Sequence, residues 1–123
     1  ASLTFNGIWL SDNIGLITAY SNDLSYNEVF SEQVKNLMEE GDLLIMLSGS
    51  GNSGNVIKAA EIANGMKVIT LAICGYDGGK LKQISSNSVW IRSNDMQLCE
   101  DAQTVFGHMV MKSLCKEKIF IDS

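Results

Sequence analysis

The 123 residues predict a single α/β domain: an open, doubly wound, mostly parallel sheet of about four strands, flanked by helices as a three-layer sandwich. Short apolar runs alternate with amphipathic stretches along the chain, and such alternation forms parallel sheets with right-handed crossovers. The longest apolar runs are residues 43–47 and residues 68–74, the second broken by Thr70. Gly41 and Gly65 stand where two helices are expected to end.

The first half of the chain predicts two helices before the first long apolar run. Residues 2–5 fit a short strand, and residues 12–20 and 26–38 fit helices, the second with its apolar residues near one face. Residues 43–47 are continuously apolar, which is typical of a strand covered on both faces. Residues 52–64 follow as a helix.

The second half repeats this alternation. Residues 67–73 are rich in β-branched side chains and predict a second buried strand. Residues 78–84, which begin with two glycines, predict a short helix. A third strand is expected over residues 88–91, and a last helix over residues 95–116.

Composition and charge narrow the classes of function. A hydrophobic content of 46% with 19% charged residues is typical of a soluble globular domain. The net charge is −5 and the nine Lys and Arg residues are scattered, which argues against nucleic acid as a partner because backbone binding needs a concentrated basic surface. A single phosphate monoester needs only a few backbone N–H groups and is not excluded.

Location and redox state follow from the same pattern. The apolar runs are far too short to cross a bilayer, and no charged-then-apolar leader opens the chain, so we expect a cytoplasmic protein without a membrane partner. Cys74, Cys99 and Cys115 lack C-x-x-C spacing and are odd in number. They favour reduced thiols over a disulfide or zinc framework.

The segment Ser48-Gly49-Ser50-Gly51-Asn52-Ser53 has the most suggestive chemistry, because it joins a predicted strand to a predicted helix. Ligands of such sheets bind beyond the carboxyl ends of the strands. The glycines allow close backbone approach, the serines supply hydroxyl donors, and the first N–H groups of the helix are unpaired at the positive end of its dipole. These features predict a phosphate-binding site in this segment, called the seat below.

The same segment also fits a plain polar turn in which Asn52 or Ser53 caps the helix. Dinucleotide and nucleoside-triphosphate loops are disfavoured, since the segment has neither the G-x-G-x-x-G spacing nor a Lys-Ser or Lys-Thr pair.

Residues 41–56, which contain this segment, resemble the phosphate loop of sugar isomerase (SIS) domains, and look most like the phosphoheptose isomerase branch. Further matches at residues 19–23, 29–34 and 75–81 extend the resemblance over nearly the whole chain. The resemblance implies an isomerase of carbohydrate metabolism and lipopolysaccharide heptose biosynthesis. Its reaction would interconvert sedoheptulose 7-phosphate and a heptose 7-phosphate through an enediol, with no cofactor required.

The resemblance also implies which residues touch the ligand. Ser48, Ser50 and Ser53, together with Asn52, fall on the phosphate-binding positions, and Asp23 falls on an aspartate of the substrate pocket. From the residues alone, Asp23 fits an ordinary turn.

His108 is the only histidine and lies beside an apolar face of the last predicted helix, where a histidine is usually structural. Histidine titrates near neutral pH and suits proton transfer. The resemblance places His108 at the position of an acid or base. Glu100 falls where these enzymes often have a glutamine near substrate or metal, so Glu100 and His108 are candidate zinc ligands. Gln103 falls where many have another histidine, which departs from the metal pattern.

Phosphoheptose isomerases resemble this chain only after their first third, which carries a Gly-Gly-Ser loop and the glutamate base. The chain is therefore expected to be an N-terminally truncated SIS domain. An enediol mechanism needs a base as well as an acid, and Glu100 and Asp101 are candidates by proximity alone. The alternative to an isomerase is a non-catalytic SIS module that binds a phosphosugar or a protein, such as a replication-initiator-associating protein.

The chain is also expected to form an oligomer. A missing first strand and helix would leave an edge or an apolar face uncovered, which is costly unless another chain covers it. The resemblance implies a homo-oligomer, often a tetramer, with active sites near subunit interfaces.

Overall fold

The computed structural model describes residues 6–122, with side chains as far as residue 117. Helices and strands alternate along it, as the sequence predicts. The elements are α1 (Ile14–Asp23), a 3-10 turn (Tyr26–Glu28), α2 (Ser31–Leu37), β1 (Leu43–Ser48), α3 (Gly54–Gly65), β2 (Ile69–Cys74), α4 (Gly79–Ile84), β3 (Asn87–Trp90) and α5 (Met96–Asp122). The single helix expected over residues 26–38 is divided into the 3-10 turn and α2, and Val29 is fully buried at the division.

Three parallel strands form the sheet of the described residues, in the order β1-β2-β3. Ser48 at the end of β1 pairs with Cys74 at the end of β2, which pairs with Trp90 at the end of β3. Because the carboxyl ends are level, the loops that follow the strands gather at one edge. The parallel α/β sheet confirms the predicted fold class. The strand expected at residues 2–5 lies outside the described residues.

The core lies on one face of the sheet. Alternate residues of β1 point into it, and α3 contributes small alanines that allow a close approach to its neighbours. The buried cluster consists of Val34, Leu44, Met46, Ala59, Ala60, Ala63, Val68, Ala72, Cys74 and Leu81.

The opposite face of the sheet is apolar and open within the described residues. Leu43, Ile45 and Leu47 of β1 are 51%, 56% and 56% exposed, and Ile69 of β2 is 47% exposed. The prediction that β1 is covered on both faces is therefore wrong for this part of the chain. The expectation of an uncovered apolar face is confirmed.

Helix α5 is 27 residues long and contacts the rest of the described chain through its first turns. Met96 lies against Gly49, and Cys99 lies against Gly75. Gln103 Nε2 donates a 3.2 Å hydrogen bond to the carbonyl of Ile73. Beyond Gln103, the side chains described as far as residue 117 are half-buried or exposed. Neither α5 nor any other described helix has the length and apolarity that a membrane crossing requires.

Candidate functional site

The candidate site is the loop of residues 48–53, here called the anion loop, at the carboxyl end of β1. The helix that follows begins at Gly54 with Ser53 as its N-cap, two residues later than the sequence predicts. Gly51 adopts a left-handed φ of +71°, which glycine alone adopts readily. The chain therefore completes a tight turn before α3 can start.

Several backbone N–H groups of this segment are free. Those of Ser50, Ser53, Gly54 and Asn55 donate to no acceptor among the described residues. The last three lie at the start of a 12-residue helix, where unpaired donors and the helix dipole favour an anion. The first turn of α3 carries no acidic residue that would repel one.

The serine hydroxyls take part in a short chain of hydrogen bonds. Gly51 N–H donates to Ser48 Oγ at 3.1 Å, and Ser48 Oγ lies 3.3 Å from Ser53 Oγ. Ser48 is 6% exposed and its Oγ already accepts a hydrogen bond from Gly51, so its hydroxyl can donate to Ser53 and leave the exposed Ser53 hydroxyl hydrogen free. Ser50 Oγ accepts from Asn52 N–H at 3.2 Å, which leaves the Ser50 hydroxyl hydrogen free as well.

The side chain of Asn52 is bonded to the start of α4 and to the carbonyl of Ser50. Asn52 Oδ1 accepts the N–H of Lys80 at 3.0 Å, and Asn52 Nδ2 donates to the Ser50 carbonyl at 3.3 Å. Both polar groups of the amide are therefore bonded within the protein. The sequence identified residues 78–84 only as a helix, and the structure brings the start of that helix, α4, against the anion loop.

Asp23 is the last residue of α1 and is exposed, and its carboxylate accepts a 3.1 Å hydrogen bond from Asn22 Nδ2. The structure gives it no bond to the anion loop among the described residues. The 3-10 turn that follows does approach the start of α3. Asn27 Oδ1 lies 2.9 Å from the position of a Cβ on Gly54, so Asn27 lies beside the start of α3, a position that no sequence motif indicates.

An ion pair fixes the 3-10 turn to α3. Lys58 of α3 bonds to Glu28, and Ser31 Oγ donates to the same carboxylate at 2.9 Å. These two bonds, first that of Lys58 and then that of Ser31, hold the pKa of the Glu28 carboxyl below its ordinary value. The turn therefore stays attached beside the seat at neutral pH.

The predicted acid–base residues lie elsewhere. His108 and Glu100 are exposed on α5, and His108 lies in a shallow groove with Val105, Met109, Met111 and Lys112. Met96 contacts Gly49 of the anion loop, and His108 follows twelve residues later, about 18 Å along the helix axis. The described chain does not bring His108 to the seat.

The described residues do not assemble a metal site. They contain no group of three or more His, Cys, Asp or Glu side chains able to hold an ion. Glu100 and His108 lie two helical turns apart, about 12 Å along α5. The thiols are free, and burial raises the pKa of the Cys74 thiol, which keeps it protonated in the core.

The chain is similar in sequence to a known protein family and to known isomerases. A family model described as the SIS domain matches residues 3–75. The chain is 36% identical over 111 residues to a phosphoheptose isomerase of Aliarcobacter butzleri, covering 90% of the chain and 59% of that protein. It is 37% identical over 115 residues to a phosphoheptose isomerase of Helicobacter pylori, covering 94% of the chain and 59% of that protein.

Solved structures give the same result. The phosphoheptose isomerase of Francisella tularensis superposes with a TM-score of 0.81 at 26% identity, covering 83% of this chain and 55% of that one. The phosphoheptose isomerase of Neisseria gonorrhoeae superposes with a TM-score of 0.74 at 31% identity, covering 83% and 59%. The chain thus spans less than two thirds of the length of these relatives.

Proposed function

Because the chain belongs to the SIS domain family, we propose that it supplies the phosphate-binding part of an isomerase that interconverts ketose and aldose forms of a heptose phosphate. The observation that carries the proposal is the set of free N–H groups at Ser50, Ser53, Gly54 and Asn55 beside free hydroxyl hydrogens. A phosphate dianion needs several converging donors and no facing acceptor, which is what this segment offers.

The substrate class is inferred from relatives named phosphoheptose isomerase. Sedoheptulose 7-phosphate is the proposed ketose, with Ser50 and Ser53 on its phosphate, Ser48 behind them and Asp23 in the sugar pocket. The non-catalytic module predicted as an alternative would share the same seat. It is not favoured, since the named relatives are isomerases.

The reaction moves a proton between neighbouring carbons and another between their oxygens. A base removes the proton from the carbon beside the carbonyl, the enediol forms, and the proton returns to the former carbonyl carbon. We assign His108 to the proton transfer at the carbonyl end. Glu100 and Asp101, on the same helix, are candidates for the base. No step uses a metal, and a zinc ion on Glu100 and His108 would need ligands from outside the described residues.

His108 and the seat come together in this proposal through a second copy of the chain. The open face of β1 and the apolar side of α5 give each copy surface to bury, and a homotetramer with sites at its interfaces satisfies both. The protein would act in the cytoplasm, where its free thiols stay reduced.

Isothermal titration with sedoheptulose 7-phosphate and with inorganic phosphate tests the seat. The double variant Ser50→Ala, Ser53→Ala should bind at least about tenfold more weakly, because two charge-assisted donors are lost. Ser88→Ala, an exposed serine on β3, is the matched control and should bind like the wild type. No binding to the wild type, or equal binding by the double variant, would contradict the proposal.

A further inference from the structure

We propose that Asn52 is a positioning residue: its side chain fastens the anion loop to the start of α4, so that the loop presents donors to the ligand. This inference rests on the proposed phosphate seat and assigns Asn52 an indirect role there. The resemblance to SIS domains had placed Asn52 among the ligand-binding residues, whereas its two polar groups are bonded inside the protein.

The side chain of Asn52 bridges two segments that are 28 residues apart in sequence. Asn52 Oδ1 accepts the N–H of Lys80 at 3.0 Å, in the first turn of α4. Asn52 Nδ2 donates to the carbonyl of Ser50 at 3.3 Å. One amide thus ties α4 to the middle of the anion loop.

Hydrogen bonds within the protein also occupy the carbonyl oxygens of the anion loop, which would otherwise face the ligand as acceptors. The carbonyl of Gly49 accepts from Gly75 N–H at 2.8 Å, and the carbonyl of Gly51 accepts from Leu81 N–H at 2.9 Å. With the Ser50 carbonyl bonded to Asn52, these successive oxygens are all bonded inside the protein. Carbonyl oxygens repel an anion, so their removal is as necessary to the seat as the free N–H groups.

The two segments fit without room for a side chain at Gly79. A Cβ there would lie 2.6 Å from the carbonyl oxygens of both Gly51 and Ser50, and 2.7 Å from Asn52 Oδ1. Gly79 also adopts a left-handed φ of +56°. The anion loop and the start of α4 are therefore packed as one unit, and Asn52 supplies the side-chain bonds within it.

The first test is Asn52→Ala in the complete chain, read by inorganic phosphate titration and by hydrogen exchange of the Lys80 amide. Loss of the bridging bonds should weaken phosphate binding roughly tenfold, and the Lys80 amide should exchange roughly tenfold faster in the free protein. Asn36→Ala is the control, since Asn36 is an exposed asparagine on α2 that bonds Tyr20 and Glu32. It should change neither quantity.

Asn52→Asp separates the two bonds of the amide. The carboxylate keeps an acceptor for Lys80 N–H but cannot donate to the Ser50 carbonyl. Protection of the Lys80 amide should return to the wild-type value, while phosphate binding should stay weak because the Ser50 carbonyl has lost its bond to the Asn52 amide. A role confined to global stability would instead leave the phosphate affinity unchanged well below the unfolding temperature.

Gly79→Ala disturbs the same contact from the α4 side and leaves Asn52 and the serines of the anion loop unsubstituted. The added methyl should push the anion loop from α4 and weaken phosphate binding by a similar factor. Gly41→Ala is matched to it, because Gly41 has a left-handed φ of +92° with nothing within 4 Å of the added Cβ. The Gly41→Ala variant therefore has the strain of a left-handed φ without a steric contact, and it should bind phosphate like the wild type.

The outcomes distinguish the inference from the proposed function. If the wild type binds no phosphate, the proposed seat fails and the inference fails with it. If the wild type binds and Asn52→Ala binds equally well, Asn52 does not position the loop and the seat stands. If Asn52→Ala weakens binding while Lys80 exchange is unchanged, the bridge to α4 is not the reason, and the inference is overturned.

Discussion

The anion loop and α5 differ in how completely the described chain builds them. In the anion loop, hydroxyls, carbonyls and the amide of Asn52 are bonded within the loop or to residues 75–81. On α5, Val105 and Met109 beside His108 are 57% and 61% exposed, and His108 has no bonded partner among the described residues.

This difference teaches that binding and proton transfer have separate structural requirements here. Donors for an anion come from one turn and the start of one helix, so short-range structure is sufficient to form them. Acid–base chemistry needs a proton donor or acceptor within hydrogen-bond reach of the reacting atoms, and α5 does not bring His108 to the anion loop in the described chain. The seat should therefore respond to local changes, and the proposed chemistry to assembly.

The largest effect is expected from Gly51→Ala. The Cβ would lie inside contact distance of the Gly78 carbonyl, and the residue has a left-handed φ of +71°. We expect phosphate binding to be lost and the free energy of unfolding to fall by about 3 kcal/mol, measured by urea unfolding. Gly41→Ala, with open space around its Cβ, should cost about 1 kcal/mol. Equal losses in the two variants would show that the contact with Gly78 is unimportant.

His108→Gln tests the other side of the comparison. If His108 transfers a proton, turnover of sedoheptulose 7-phosphate in an isomerase assay should fall about a hundredfold, while phosphate affinity stays at the wild-type value. Unchanged turnover would refute the assigned role. A parallel loss of phosphate affinity would show that His108 contributes to the seat, and the contrast between the two regions would be wrong.

A charge on the apolar side of α5 tests assembly. Met109→Asp should weaken self-association about tenfold or more, because it places a carboxylate in a surface that another copy would bury, with little effect on the fold at a 61% exposed position. Sedimentation velocity measures the change. Thr104→Asp, exposed on the same helix, is the control. A wild-type monomer at all concentrations would contradict the proposed oligomer.

The smallest effect concerns the ion pair beside the seat. The pKa of Glu28 is lowered by Lys58, so the pair stabilises the fold above the ordinary carboxyl value of about 4.3 and is lost as the pH falls through the lower folded value. Glu28→Gln should reduce stability at pH 7 and match the wild type in strong acid, measured by thermal unfolding across pH. Glu40→Gln, on an exposed residue, is the control and should leave the stability at pH 7 unchanged. A constant difference at every pH would contradict the ion-pair explanation.

Much of the fold followed from local pattern. The strands after Gly41 and Gly65 and the short helix after the glycine pair appear within a few residues of their predicted positions. The prediction that β1 is covered on both faces was wrong for a physical reason. A continuous apolar run shows that a strand can be buried on both faces, but it does not show which residues cover it. Coverage of Leu43, Ile45 and Leu47 depends on atoms beyond the described residues.

Only part of the candidate site could be predicted from the sequence. Ser50 and Ser53 could be proposed as phosphate-binding residues because they lie in a glycine and serine turn between a strand and a helix, and because residues 41–56 resemble the phosphate loop of SIS domains. The partner segment at Gly79 and Lys80 could not, since nothing local says which distant N–H groups an asparagine will accept. The helix predicted from residue 52 starts at Gly54, and of the two candidate N-caps, Asn52 and Ser53, the structure has Ser53 at that position while the Asn52 side chain is bonded elsewhere.

The most direct test is a titration with inorganic phosphate followed by ¹⁵N–¹H NMR of the complete chain. The account predicts saturable shifts at the amides of Ser50, Ser53, Gly54 and Asn55, and little change at Met109 on α5. Phosphate that leaves those four amides unmoved, or that moves α5 most, would contradict it.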